Sequence, residues 1–377
     1  MTMRVMMIAG EASGDLHGSG VVRELKKRMP NVDIFGVGGD KMKSEGLDIV
    51  YHISRLSFMG FVEVVKNLSV IKEVEQKLEA LLESRRPDVV VLIDYPGFNL
   101  RFAKKVKQHN IKVLYYISPQ VWAWHKSRVK KMRTLVDRMN VVFPFEVGIY
   151  EKEGINVEFV GHPLAERIGS SVSRDEFFQN NGFDSTKKLL GLLPGSRKQE
   201  IEKIFPAMVE TATRVQKEIG VQLAVGVAPN LDAGFLKSFA HQASAIKFVE
   251  HATYDLMAYA DAAIVTSGTA TLETGWFGTP MAVVYKTSPI TYTIGKALVG
   301  VPFIGLVNIV AGEKVVPEFV QHEMSVSSLS TEMRKQLTDE AYANGMREKL
   351  CMIKAKLGGP GASAKVAEGI IELGESV

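Results

Sequence analysis

Two stretches of this chain bring glycine, hydroxyl and guanidinium groups to the point where a strand passes into a helix. The first is Leu193-Pro194-Gly195-Ser196-Arg197-Lys198-Gln199-Glu200. Ser196 with Gln199 three residues on reads as a capping box that fixes the helix start. The free N–H groups of that turn, the positive helix end and the Arg197 guanidinium make an anion site suited to a diphosphate or leaving group. The second is Thr266-Ser267-Gly268-Thr269-Ala270-Thr271-Leu272-Glu273. Ser267, Gly268 and Thr269 suit phosphate oxygens, and Glu273, about one turn in, can accept hydrogen bonds from ribose hydroxyls. Each element alone is equally an ordinary capped helix, with Glu273 placed for the helix dipole. Two in one half-chain favour nucleotide binding.

The first half carries candidate carboxylates instead. Gly10-Glu11-Ala12-Ser13-Gly14-Asp15-Leu16-His17-Gly18 has dinucleotide-like glycine spacing, yet Glu11 and Asp15 repel a phosphate. Acidic groups there better suit sugar hydroxyls; Asp15 reads as a helix cap, whereas Glu11 is free to face a ligand. Asp94 follows the most apolar run of the chain, in Ile93-Asp94-Tyr95-Pro96-Gly97-Phe98-Asn99. Pro96-Gly97 reads as a tight turn holding Asp94 at a strand end. Desolvated among Tyr95 and Phe98, its carboxylate gains proton affinity and can take a proton from an alcohol. The plainer alternative is an Asp that accepts loop N–H groups.

These groups need strands and helices to hold them, and the chain alternates short β-branched runs with longer helical segments, as parallel α/β sheets do. Strands are expected at Arg4–Ala9, Asp33–Val37, Asp88–Ile93, Lys112–Ile117, Arg138–Val142 and Val157–Val160, with helices including Gly18–Arg28, Val70–Ser84, Leu100–His109 and Ser127–Val136. A polar stretch at Ile168–Lys188 reads as a domain boundary. Alternation restarts with strands at Leu189–Leu193, Gln222–Val227, Ile246–Val249, Ala262–Thr266 and Met281–Tyr285. The helical tail is cut by Gly358-Gly359-Pro360-Gly361. Two open sheets of this kind bind ligands at the carboxyl ends of their strands, around a shared cleft.

Composition excludes several classes. The 377 residues are 46% hydrophobic and 23% charged, a globular balance, and 46 basic against 42 acidic side chains leave +4, no polycation for nucleic acid. One cysteine, Cys351, rules out an internal disulfide framework and suits a reducing cytoplasm. The opening residues lack the core and cleavage site of a signal peptide. The longest uncharged stretch, Ala297–Gly312, falls short of the ~20 residues a spanning helix needs. No two aspartates stand two residues apart and the histidines form no paired motif, so neither a metal nor a cofactor is expected.

Three further stretches bear on surfaces. Ser118-Pro119-Gln120-Val121-Trp122-Ala123-Trp124-His125 sets two tryptophans on one short loop, either against carbohydrate or acyl chain or as core anchors. Lys126, Arg128, Lys130, Lys131 and Arg133 form a basic stretch that suits an anionic lipid surface or a solvated helix face. Leu56–Ile71, with Phe58, Met59, Phe61, Val62, Val65 and Leu68, is apolar around its whole circumference. It is either a core helix or a membrane or acyl-chain contact.

Taken in order, the Gly10–Asp15 loop, Ser118-Pro119 with Val121–Trp124, Val160-Gly161-His162-Pro163-Leu164, Leu193–Arg197, Ser267–Glu273, Asn308-Ile309 and Val316-Pro317-Glu318 with Gln321 resemble the lipid A disaccharide synthase family over nearly the whole chain. The resemblance implies a GT-B glycosyltransferase: α/β, two Rossmann-like domains facing a central cleft. Residues 1–170 would form the acceptor and membrane-associated domain, with helix 362–377 packing back on it. Residues 186–355 would bind the UDP-sugar.

The implied reaction joins UDP-2,3-diacylglucosamine to 2,3-diacylglucosamine 1-phosphate. It inverts the anomeric centre without a metal and gives the β-1,6-linked lipid A disaccharide 1-phosphate and UDP. Acceptor activation falls on Asp94, with Glu11 as the competing carboxylate. UDP contacts fall on Arg197, Ser196, Ser267, Gly268, Thr269, Glu273, Asn308 and Gln321. The family is peripheral to the cytoplasmic face of the inner membrane, which turns Phe58–Ile71 toward acyl chains or the membrane surface. The expected partners are therefore the two acylated sugars and that surface, with a homodimer left open. A UDP-N-acetylglucosamine 2-epimerase of the same architecture has no use for that apolar stretch. A basic binding module would show no saturable UDP affinity.

Overall fold

Every side chain of Val89-Val90-Val91-Leu92-Ile93 is fully buried, which is what a strand covered by helices on both faces requires. The structure, a computed structural model, describes residues 2–55, 68–119, 127–240, 245–288, 292 and 302–376. It divides into two units, Met1–Glu166 with Leu357–Val377, and Arg167–Lys356.

In the first unit seven described strands make one sheet. They are β1 (Arg4–Ala9), β2 (Asp33–Gly38), β3 (Asp48–His52), β4 (Val89–Ile93), β5 (Lys112–Tyr116), β6 (Arg138–Val141) and β7 (Val157–Phe159). Their order is β3-β2-β1-β4-β5-β6-β7, with every pairing parallel. The second unit repeats the plan with β8 (Leu189–Leu193), β9 (Gln222–Gly226), β10 (Ile246–Val249), β11 (Ala262–Thr266), β12 (Met281–Tyr285) and β13 (Glu318–Val320). The order there is β10-β9-β8-β11-β12-β13, again parallel. Both sheets therefore have the Rossmann arrangement, in which strand order reverses between the first and fourth strands. Ligands bind beyond the carboxyl ends at that switch point, so β1 and β4 in one unit, and β8 and β11 in the other, frame the places to search.

Edge strands β3 and β13 escape the sequence reading because they are short and only half-buried, so neither needs a continuous apolar run. The first helix also begins earlier than expected, at Ala12 rather than Gly18. Its glycines are packing positions: a Cβ on Gly14 would lie 3.2 Å from that of Ala9, and one on Gly18 2.7 Å from the Met42 sulfur. The polar 168–188 stretch holds a short helix, Arg174–Asn180, capped by Ser173 and anchored by buried Phe177 and Phe178.

The helix Ala362–Glu375 belongs to the first unit. It buries Val366, Ala367 and Ile370 and packs on the helix Ala12–Arg28 and on β4 and β5. Its start is fixed by Glu166, which accepts from the Ser363 amide at 2.7 Å and hydroxyl at 2.6 Å.

Candidate functional site

At the switch point of the first unit, Ala9 and Ile93 stand in register, so the loops leaving β1 and β4 emerge side by side. Glu11 is the exposed residue at the start of the helix Ala12–Arg28, and Asp94 is the first residue beyond β4. Burial, with the charge of Glu11 second, raises the Asp94 carboxyl to about 6, against an opposing hydrogen bond from the Tyr95 amide. Such a group is ionised at neutral pH yet holds a proton far better than an ordinary carboxylate, as a general base should.

Asp94 and Tyr95 both have left-handed backbones, each with φ 46°. Neither is glycine, and such residues cost about 1–3 kcal/mol each, a strain met chiefly at functional sites. Pro96-Gly97 does not form the expected tight turn. Pro96 is the first residue of the helix Pro96–Gln108, where its missing N–H costs nothing, and the reversal falls on Asp94-Tyr95 instead. Tyr95 lies over Gly10: a Cβ there would stand 2.2 Å from its Cδ1.

Asp15 does not cap its own helix. Buried inside it, the carboxylate accepts from the amides of Gly39 at 2.7 Å, Met42 at 3.0 Å and Lys41 at 3.2 Å. It thus caps the neighbouring helix Asp40–Ser44, an acceptor for orphan N–H groups across space. This leaves Glu11 and Asp94 as the carboxylates that the structure brings together.

In the second unit Leu193 and Val265 stand in register, and the loops leaving β8 and β11 emerge together. Gly195 is left-handed, φ 89°, and a Cβ on it would touch Thr266 at 3.7 Å. The capping box on Ser196 does not form. The helix Lys198–Ile219 starts one residue later, with Arg197 at its N-cap, and Arg197 pairs with Glu200 at 3.0 Å in place of the box. The Ser196 carbonyl accepts from Asn230 Nδ2 at 3.2 Å, and its side chain is exposed. Tyr285 lies near the Arg197–Glu200 pair; burial and then Glu200 raise its hydroxyl, and Arg197 opposes them.

Gly268 is the N-cap of the helix Thr269–Trp276, with φ 146° and ψ −162°, a region open essentially to glycine alone. Neither N-cap residue, Arg197 or Gly268, caps its helix through a side chain, so the first two N–H groups of each start are suited to an outside acceptor. Thr269 is exposed there. Ser267 is less available than expected. Its hydroxyl donates to the Ile304 carbonyl at 2.8 Å and its amide to Val284.

Asn308 acts as a brace in this structure. Fully buried, its Nδ2 donates to the Val316 carbonyl and Glu318 Oε1, both at 2.9 Å, and its Oδ1 accepts from the amides of Val315 and Val316. Every polar atom of that amide is used within the loop. Glu318, given no role from sequence, accepts from the amides of Ile304 at 3.0 Å and Gly305 at 2.9 Å and so holds the backbone that leads into the helix Leu306–Ala311. Gln321 has a left-handed backbone, and its Oε1 accepts from the Thr287 amide at 3.1 Å. Glu273 lies farther along its helix, raised by burial, and accepts from the Tyr254 hydroxyl at 2.9 Å with Arg167 nearby. Tyr254 and Arg167 come from distant sequence and carry no local signal.

Phe58, Met59, Phe61, Val62 and Val65 lie outside the described residues, as do Trp122, Trp124, His125 and Lys126. Leu68 opens the helix Leu68–Ser84, in which Ile71 is buried in the core. Lys130, Lys131 and Arg133 are exposed. No helix among the described residues is long and apolar enough to cross a membrane.

Comparison with known proteins now separates the readings. A curated lipid-A-disaccharide synthase from Geobacter sulfurreducens is 44% identical over 372 residues, covering 98% of this chain and 97% of that protein. Among solved structures, the UDP-GlcNAc 2-epimerase of Neisseria meningitidis, bound to UDP-GlcNAc, superposes with TM-score 0.66 at 14% identity, covering 98% of this chain and all of that one. The kitacinnamycin glycosyltransferase does so with TM-score 0.66 at 15%, covering 99% of each. At such identities the structural likeness shows the shared GT-B fold, and sequence has to choose between the activities. The model of the lipid-A-disaccharide synthetase family matches residues 5–360, and with that match the chain belongs to this family.

Proposed function

We propose that the chain is an inverting glycosyltransferase of lipid A biosynthesis. It joins UDP-2,3-diacylglucosamine to 2,3-diacylglucosamine 1-phosphate and releases the lipid A disaccharide 1-phosphate and UDP. The observation that carries this reading is the family match over residues 5–360. The pairing of Asp94 with Glu11 at a Rossmann switch point supports it from chemistry.

In the proposed mechanism Asp94 accepts the proton of the acceptor 6-hydroxyl. That oxygen then forms a bond to the donor anomeric carbon from the face opposite the diphosphate, and the carbon–oxygen bond to UDP breaks. The electron pair leaves with the diphosphate. Its growing charge meets the uncapped starts of the helices Lys198–Ile219 and Thr269–Trp276 and the Arg197 guanidinium, donors oriented before the bond breaks. Glu273 accepts from the ribose hydroxyls, while Ser267, Asn308 and Gln321 hold the loops around the nucleotide. Ser196, Gly268 and Thr269 line the phosphates.

The first unit receives the acceptor and the second the UDP-sugar. Phe58, Met59, Phe61, Val62, Val65 and Leu68 take acyl chains or the membrane surface, so the protein works peripherally on the cytoplasmic face of the inner membrane. Exposed Lys130, Lys131 and Arg133 support this, since anionic lipid attracts such groups.

Incubating the purified protein with both acylated sugars and a chelator tests the reading. A disaccharide product and stoichiometric UDP are expected. UDP-sugar left intact, or converted without the acceptor, would refute it. Serine at Phe58, Phe61 and Val65 should release the protein from anionic vesicles in a sedimentation assay, and unchanged sedimentation would move the membrane contact elsewhere.

A further inference from the structure

The left-handed reversal after β4 is held by two buried side chains that no step of the proposed reaction uses. The Asp94 amide still belongs to the sheet, donating to the Tyr116 carbonyl on β5 at 2.9 Å. Its carbonyl has left the ladder, because the backbone turns left-handed at Asp94 and again at Tyr95. Two side chains meet that carbonyl: the Tyr115 hydroxyl donates to it at 2.6 Å and Asn99 Nδ2 at 2.7 Å. Asn99 also reaches the Ile93 carbonyl at 3.2 Å. Both residues are fully buried, Tyr115 on the adjacent strand and Asn99 on the helix that follows. On the other side, the Tyr95 ring occupies the space that a side chain at residue 10 would need.

We infer that Asn99 and Tyr115 are positioning residues that hold the Asp94 carbonyl and thereby impose the reversal that aims the Asp94 carboxylate into the site beside Glu11. The inference rests on the reading of Asp94 as the base. A carbonyl left without these donors would be a buried acceptor with no partner, and the turn would relax toward an ordinary right-handed start of the helix. The carboxylate would swing with it, since a left-handed and a right-handed backbone send the Cα–Cβ bond in different directions. Neither residue touches a reacting atom; both act through the backbone of Asp94.

The test compares Tyr115→Phe, Asn99→Ala, Asp94→Ala and the double variant Asp94→Ala/Tyr115→Phe in steady-state assays with both acylated sugars and in UDP titrations. Tyr115→Phe keeps the ring, so folding is retained even if Asn99→Ala fails to fold. It should lower kcat about tenfold, as small misplacement of a reacting group does, with KM and UDP affinity within about twofold. In the Asp94→Ala background it should change nothing further, because its effect runs through that carboxylate. Wild-type kcat in Tyr115→Phe, or the same fold-loss in both backgrounds, overturns the inference while leaving Asp94 as the base. Wild-type kcat in Asp94→Ala overturns the base reading and this inference with it.

Discussion

The two units present polar groups at equivalent points of equivalent sheets by opposite means. Beyond β4, one carboxylate is fixed by a strained reversal and raised to about 6 by burial. Beyond β8 and β11, the helix starts are left without side-chain caps, while nearby Ser267, Asn308 and Glu318 are used to hold loops. In the proposed reaction a base needs one orientation and one proton affinity, which a single constrained side chain provides. The departing diphosphate of that proposal needs many donors and no particular proton affinity, which backbone amides would supply at low entropic cost.

That contrast can be broken from either side. Asp94→Ala should lower kcat by about 10²- to 10⁴-fold, the range for a lost general base, with UDP affinity near normal. Equal loss of UDP affinity in a titration would erase the division of labour.

A second consequence is thermodynamic. Because the folded state raises the Asp94 carboxyl from an ordinary carboxylate value, the charge opposes folding above about pH 6 and does so progressively less as pH falls toward 4. Asp94→Asn should therefore be more stable than the parent at pH 7.5, by up to about 3 kcal/mol, with the difference gone below about pH 4. Chemical denaturation at the two pH values measures this. A variant that is less stable at neutral pH would deny that the site stores electrostatic strain.

On the donor side, Arg197→Ala should weaken UDP about tenfold to hundredfold, as the loss of a charge-assisted bond to phosphate does, and slow turnover. If calorimetry finds UDP binding intact, the helix starts carry the anion without the guanidinium. The smallest effect is expected for Glu11→Gln. Removing that charge lets Asp94 ionise more readily, so the acidic limb of the kcat profile should move to lower pH with the plateau retained. Loss of the plateau would promote Glu11 from neighbour to base.

Much of this was readable from sequence, for physical reasons that also explain the rest. Central strands announce themselves because burial on both faces demands unbroken apolar runs, as at Val89–Ile93 and Leu189–Leu193. Edge strands β3 and β13 carry no such demand and stayed hidden. Glycine and proline misled at Gly14, Gly18 and Pro96. Gly14 and Pro96 read as loop and turn and Gly18 as a helix start, yet Gly14 and Gly18 lie inside one helix and Pro96 opens another, because close packing or the first helical position wanted them there. Loops at the switch points were legible because strand–turn–helix chemistry is local. Their braces were not: Tyr115 reaches Asp94, Tyr254 reaches Glu273 and Glu318 reaches Gly305 across gaps that no short motif spans. Ser196 is not the cap because the helix starts one position later, with Arg197 at its N-cap.

The clasp between Glu166 and Ser363 sets an order of events during synthesis. The sheet of the first unit is translated early, but the helix that packs on β4 and β5 comes only after all of Arg167–Lys356 has emerged. A growing chain therefore lacks this helix on β4 and β5 until the later unit, contiguous in sequence, is complete.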